Sequence, residues 1–374
     1  MATSFQLIDI VILIGICQGV FLALTLQRIT NNNRSANTYL SALIILATIM
    51  LMGRFVYFRF LSNWVFQWSL LVDSLVFLFG PFIYMYVRRL LFKGNTSYKL
   101  PFYHFIPFFG MVLFAGYYIV FYSPTAYLDF FINGNLLFYF RIISLIMIAY
   151  NSLYLLKSFQ LLKKFRKEEK EAFSFQQSPL TYLNFFLFSV TACLFTWAIS
   201  FLNAVLFNDE ISFVNYESIW VAIPVFIYVI GYFSLKQPEL FRIPFEEKST
   251  EKKARLTESE AIVLKQKLDS LMQNERVFLD SNLTLRDVSE TLQTSTNNIS
   301  WLLNNVYKTT FYDFINGYRV EEFIEKIKNN EHLTHTILAL SMDVGFNSKS
   351  TFNKAFKITM NETPSNYIKK HRAA

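Results

Sequence analysis

At 374 residues, 53% of them hydrophobic, 18% aromatic and only 17% charged, the chain is too apolar for an ordinary soluble protein. Its net +8 divides as +6 up to Leu235 (15 Lys and Arg against 9 Asp and Glu) and +2 from Lys236 onward (20 against 18). That balance does not by itself announce nucleic acid. Cys17 and Cys193 both fall inside apolar runs, which argues against a disulfide framework and leaves the compartment open.

Apolar segments of spanning length lie near 5–27, 37–60, 64–88, 102–123, 136–160, 181–206 and 213–235, each close to the roughly 20 residues a bilayer core requires. The first lacks a basic leader and is long enough to span, so it reads as a membrane helix and not as a cleaved signal. Gly80-Pro81 predicts a kink in the third span, and Pro107 and Pro224 predict kinks in the fourth and seventh.

Basic residues set the orientation. One set of loops holds Arg28 and Arg34; Arg88, Arg89, Lys93 and Lys99; and Lys163, Lys164, Arg166, Lys167 and Lys170. The opposite side has an N-terminus without Lys or Arg, Arg54 and Arg59 near the second loop, and Asp129, Asp209 and Glu210. This asymmetry places the N-terminus outside and the C-terminus in the cytoplasm.

Arg54, Asp73, Arg141 and Glu217 fall on spans two, three, five and seven, in the outer half or near mid-depth. Charges at that depth are costly and either pair or line a polar cavity. With Trp64, Trp68, Trp197 and Trp220 also on spans, two uses follow: a pocket for an external signal, or plain interhelical ion pairs with the tryptophans as an interface belt. Asp9 and Asn151 are assigned to satisfying neighbouring helices.

Residues 236–256 carry mixed charge with Pro238 and Pro244 and read as a linker, spanning about 25 Å root-mean-square if flexible. Thr257 with Glu260 then forms a capping box for a helix carrying Leu264, Leu268 and Leu271. A coiled-coil dimer seam is the other use of these leucines, over a short run.

Thr284, with Asp287 three residues on, opens another helix; Gln293 and Thr294 make a turn, and Ser295 caps a helix with Ile299, Leu302 and Leu303 inside. Its other face is Asn297, Ser300, Trp301 and Asn304. The same unit recurs further on. Thr336 caps a helix with Ile337, Leu340 and Val344 on its apolar side, and Gly345 supplies the positive φ of a sharp stop. Ser348 then caps a helix that buries Phe352 and Phe356. Lys349, Ser350, Asn353, Lys354 and Lys357 stay outside, a face that suits a DNA major groove. The copies are offset by 52 residues before the turn and 53 after it, so the second has one extra turn residue. Between them, 311–329 is a strong helical pattern of roughly 28 Å, against about 34 Å for one duplex turn. Two recognition helices held at that spacing would reach successive major grooves.

The string Val-Gly-Phe-Asn-Ser-Lys-Ser-Thr-Phe-Asn-Lys-Ala-Phe-Lys from Val344, ending in Thr363-Pro364-Ser365, resembles the second helix-turn-helix of AraC-family bacterial transcription regulators. Leu283-Thr-Leu-Arg-Asp-Val-Ser and Phe311-Tyr-Asp-Phe-Ile-Asn-Gly-Tyr-Arg-Val-Glu321 extend the likeness. The resemblance implies a seven-helix, two-headed domain that binds double-stranded promoter DNA and recruits or blocks RNA polymerase. Three positions depart from the family's pattern. Lys308 and Asn361 stand where glycine is usual, and the helix from Ser295 to Tyr307 has no Lys or Arg, with Trp301 where a polar base reader is common.

The expected architecture is all-α: a seven-helix transmembrane bundle at 1–235, a linker at 236–256 and an AraC-type double helix-turn-helix DNA-binding domain at 257–374. The expected function is a multi-pass regulator of the bacterial inner membrane, with the lipid bilayer, promoter DNA, RNA polymerase and an unknown signal ligand as partners and a homodimer left open. Rival uses of the spans are a passive anchor and a transporter-like domain. Gly-rich phosphate loops, Cys-x-x-Cys pairs and His-x-x-x-His spacings are absent, so no catalytic group, metal or cofactor is expected. The span-seven exit, 235–245, is the expected place for a coupling element.

Overall fold

The structure is a computed structural model and describes residues 6–28, 34–60, 62–92, 98–175, 179–206, 218–236 and 256–373. Residues 237–255 of the expected linker, and with them most of the span-seven exit, lie outside the described residues, as does Glu217. The fold is all-α; among the described residues the only β feature is an isolated antiparallel bridge between Phe173 and Thr284. Two compact units divide the chain, 1–162 with 178–248, and 163–177 with 249–374.

The first unit holds α1 (Leu7–Arg28), α2 (Arg34–Arg59), α3 (Asn63–Ser74), α4 (Val76–Leu91), α5 (Ile106–Phe121), α6 (Pro124–Ile132), α7 (Leu137–Ala172) up to Leu162, α8 (Pro179–Leu206) and α9 (Ser218–Lys236). Among the described residues, six helical stretches are long and apolar enough to cross a membrane, and Ile219–Phe233 of α9 is a shorter apolar helix. Their outward faces carry side chains such as Ile14, Phe21, Leu113, Phe188 and Phe195, all largely exposed, as hydrocarbon contact demands. Helix α1 packs on α2 and α9 across small residues. A Cβ on Gly15 would meet Pro224 at 2.9 Å, and one on Gly19 would collide with the Thr48 hydroxyl.

Pro81 lies inside α4, where the sequence expects a kink, and α3 and α4 also part at Leu75. The Asn151 side chain on α7 accepts from Gly80 N–H at 2.8 Å and donates to Val76 O at 3.3 Å, inserting beside the proline as at a helix bend. One proline expectation needs correction. Pro107 lies in the first turn of α5, after a 3₁₀ turn at Phe102–Phe105, where its missing N–H costs nothing. Pro224 does lie inside α9. Asp9 accepts from Gln6 N–H at 2.8 Å and pairs with Arg59 at 3.5 Å, tying the start of α1 to the end of α2.

The second unit has two cores that share one helix. Helices α10 (Glu258–Gln273), α11 (Leu285–Thr291) and α12 (Thr296–Leu302) close over Leu268, Leu271, Met272, Val288, Ile299 and Leu302. Helices α14 (Ile337–Asp343), α15 (Lys349–Met360) and α16 (Pro364–Ala373) close over Leu340, Val344, Phe346, Phe352 and Phe356. Helix α13 (Phe311–Lys328) gives Phe311 and Ile315 to the first core and Val320, Phe323 and Ile327 to the second. Between those apolar sets it carries Asn316 and Arg319, both buried. The unit also takes in 163–177, the tail of α7 and the residues after it, which the sequence pattern groups with the spans.

Candidate nucleic-acid interface

Each copy of the repeated unit is built from local chemistry. In the first, Thr284 accepts from Asp287 N–H at 3.2 Å and Asp287 accepts from Thr284 N–H at 2.8 Å, a reciprocal box that starts α11. Thr294 N–H bonds Ser289 O at 2.9 Å across the turn, with Gln293 at φ +51°. Ser295 caps α12 through Asn298 N–H at 3.2 Å. In the second copy Phe346 N–H bonds Ser341 O at 3.1 Å, the same turn bond 52 residues on. Ser348 caps α15 through Thr351 N–H at 3.2 Å. The inserted residue is therefore Asn347, exposed between Phe346 and the cap.

Gly345 is required where it stands. Its φ is +96°, and a Cβ there would sit 2.7 Å from the carbonyl oxygens of both Phe278 and Leu279. The glycine thus lets the second unit's turn lie directly on the backbone between α10 and α11.

The two outer faces differ. On α15, Lys349, Ser350, Asn353, Lys354 and Lys357 are all exposed, behind an anchor of Thr351, Phe352, Ala355 and Phe356 that is buried. Phe352 packs against Phe323, Phe346 and Phe356 with ring centroids 4.7, 5.2 and 5.7 Å away, which fixes the roll of the helix. On α12, Asn297 and Ser300 are half-buried and Trp301 leans on the first core, while Asn304, just past its end, is exposed. After Leu302 the backbone widens into a π turn, Leu303–Tyr307, and ends at Lys308 with φ +55° and its N–H on Leu303 O. Asn361 closes α15 in the same left-handed region, at φ +55°. Both glycine substitutions are thus met by left-handed backbone; lysine accepts strain there that asparagine largely avoids.

The intramembrane charges are only partly brought together. A cavity of about 240 Å³ in the first unit is lined mainly by apolar side chains, with Asp73, Asn151, Cys193, Trp197 and Trp220 among them. Arg54 is an electrostatic neighbour of Asp73, and its guanidinium lies 5.3 Å from the Trp220 ring centroid and 5.4 Å from that of Tyr57. Arg141 is exposed on α7 and does not line the cavity, although its neighbours Phe140 and Ile143 do. Sequence reasoning missed Asn151 as a cavity residue, because its amide was already assigned to helix contacts; it does both. Among the described residues no group of His, Cys, Asp and Glu could hold a metal ion.

Residues 288–370, from α11 through both recognition helices into α16, match a protein family described as a helix-turn-helix domain. No curated protein and no solved structure matches the chain. The C-terminal part is therefore a helix-turn-helix domain of the kind that binds DNA in transcription regulators. Within that class it is AraC-type, with two helix-turn-helix units on one connecting helix, and several long apolar helices precede it.

Proposed function

We propose that the chain is a one-component transcription regulator of the bacterial inner membrane, with its N-terminus outside and its DNA-binding domain in the cytoplasm. In this reading α15 is the stronger reader. Lys349, Lys354 and Lys357 supply phosphate attraction, and Asn353 and Ser350 face base edges. The α12 face of Asn297, Ser300, Trp301 and Asn304 contributes shape and neutral contacts, and binds more weakly for want of a cation. The observation that carries the reading is the basic outer face of α15, held at a fixed roll by Phe352, in a chain with six membrane-length helices among the described residues.

The cavity beside Asp73, Arg54 and Trp220 is the site we assign to the signal, an apolar molecule with one polar group. Arg141 belongs to the same proposal only if a bound ligand draws it in, and Glu217 joins it on sequence grounds alone. RNA polymerase and a second copy of the chain are the protein partners this function calls for.

The test is a genome-wide footprint of the full-length protein. Discrete non-palindromic sites with two contact blocks about 10 base pairs apart are expected. Indifference to every duplex probe at low ionic strength, or a C-terminal tag accessible from outside the cell, would refute it. Replacing the spans by one inert helix separates sensing from anchoring, because promoter response survives that exchange only if the spans are passive.

A further inference from the structure

The polar junction in the middle of α13 is completed from a distant part of the chain. Arg319 is fully buried, and burial draws its guanidinium pKa down to about 10. Nε donates to Phe278 O at 2.7 Å and Nη2 to Asp280 O at 2.6 Å, both between α10 and α11. Nη1 donates to Asn316 Oδ1 at 3.2 Å, and two more bonds reach past the helix-turn-helix sequence. Nη1 donates to Ser174 O at 3.1 Å and Nη2 to Ser174 Oγ at 3.1 Å. Asn316 Nδ2 adds a third bond to the same residue, donating to the Ser174 carbonyl at 3.0 Å. Ser174 is itself fully buried, with its N–H and Oγ both donating to Leu283 O, at 3.3 and 2.7 Å. One residue earlier, Phe173 makes the antiparallel bridge to Thr284, the cap of the first helix-turn-helix. At the end of α7, Lys170 pairs with Asp313 at 3.8 Å and lies over the Tyr312 ring at 5.4 Å.

This is a fully satisfied buried polar network, not a surface touch. Withdrawing Ser174 would strip a buried guanidinium and a buried amide of acceptors, which is strongly unfavourable. Its place matters as much as its strength. Arg319 stands where α13 passes from one core to the other, and its guanidinium also lies 5.8 Å from the Phe346 ring in the turn of the second unit. A change at Ser174 therefore acts on the joint that sets one recognition helix against the other. The segment that supplies Ser174 continues directly from α7, a single 36-residue helix about 54 Å long, well beyond the roughly 30 Å of a bilayer core.

We propose that the tail of α7 with Phe173-Ser174 is the coupling element between the membrane helices and the DNA reader, docked on the Asn316–Arg319 joint so that movement of α7 alters how the two recognition helices are set. The proposal rests on the membrane-regulator reading and replaces the span-seven exit as the element through which a signal would pass.

The test uses the full-length chain in lipid nanodiscs, with Cys17→Ala and Cys193→Ala as background. Phe173→Cys with Thr284→Cys should form a disulfide under mild oxidation, since Ser174 N–H on Leu283 O marks a non-hydrogen-bonded antiparallel pair, whose Cα atoms lie within disulfide reach. Failure to close overturns the docking. In the closed form, a flexible Gly-Ser insert of about five residues between Leu162 and Lys163 loosens only the stiff link. It should shift affinity for duplexes recovered by footprinting by about fivefold or more, whereas a shift under about twofold makes the segment a brace and overturns the coupling. If instead Lys354→Ala with Lys357→Ala leaves duplex binding untouched while the disulfide still closes, the DNA-binding reading fails and the docking stands.

Discussion

Replacing Gly345 by alanine should unfold the second helix-turn-helix unit selectively. A non-glycine residue at φ +96° costs about 1–3 kcal/mol in backbone strain. The new Cβ would also press on Phe278 O and Leu279 O at 2.7 Å, and Phe278 O is held by Arg319 Nε. Giving way there weakens a charge-assisted bond worth about 1.5–3 kcal/mol. Together the cost is about 2.5–6 kcal/mol, equivalent to roughly sixtyfold or more in the opening equilibrium. Hydrogen exchange on the full-length protein in nanodiscs reads this directly, as faster exchange of the α14 and α15 amides. Gly317→Ala is the control: a Cβ at that position would meet nothing within 4 Å, and the residue sits inside α13, so alanine should slow local exchange by about 0.5–1 kcal/mol. Acceleration of less than about tenfold for Gly345→Ala would refute the close-approach argument.

Other outcomes follow from the same geometry. Phe352→Ala empties a fully packed aromatic site and should cost about 3–5 kcal/mol, seen as lost protection of α15 and lost duplex binding together. Lys354→Ala and Lys357→Ala should each flatten the salt dependence of DNA binding by about 0.9 unit, a loss of roughly threefold in the change between 50 and 200 mM salt; mobility shifts at both salts measure it. Asn353→Ala should cost about 1–3 kcal/mol at one base step and leave the others alone, which a footprint-derived duplex series would resolve. Glu260, holding the Thr257 N–H and hydroxyl, has its carboxyl below the usual range. Its contribution is therefore present above the unfolded value, near 4.5, and is lost as pH falls through the folded value. Exchange protection at the start of α10 should drop on acidification, and Glu260→Gln should remove that dependence.

The recognisable parts of this chain are those whose physics is local. Thr257, Thr284, Thr336 and Ser348 each cap the helix they precede, since side chain and target N–H lie three residues apart and nothing distant intervenes. Gly345 and the repeat offsets were legible for the same reason. The illegible parts depend on partners far along the chain. Asn151 reaches the backbone of Gly80 and Val76 beside Pro81 from about 70 residues away in sequence, and no window around Gly80 contains that information. Ser174 and Arg319 are further apart still. A Phe-Ser-Phe run after a basic helix end reads as a loop until the buried arginine that needs its carbonyl is known. Trp301 turned toward the first core for a comparable reason, because the pocket that takes it is made by residues of other helices.

The shared helix α13 has a consequence for how this reader can be shortened. A truncation ending near Asn329 would keep the first core's Phe311 and Ile315 covered but leave Val320, Phe323 and Ile327, all with no exposed surface, as a naked oily ridge. A one-headed fragment of this protein should consequently self-associate, and the two heads are expected to be inherited, expressed and lost as a pair.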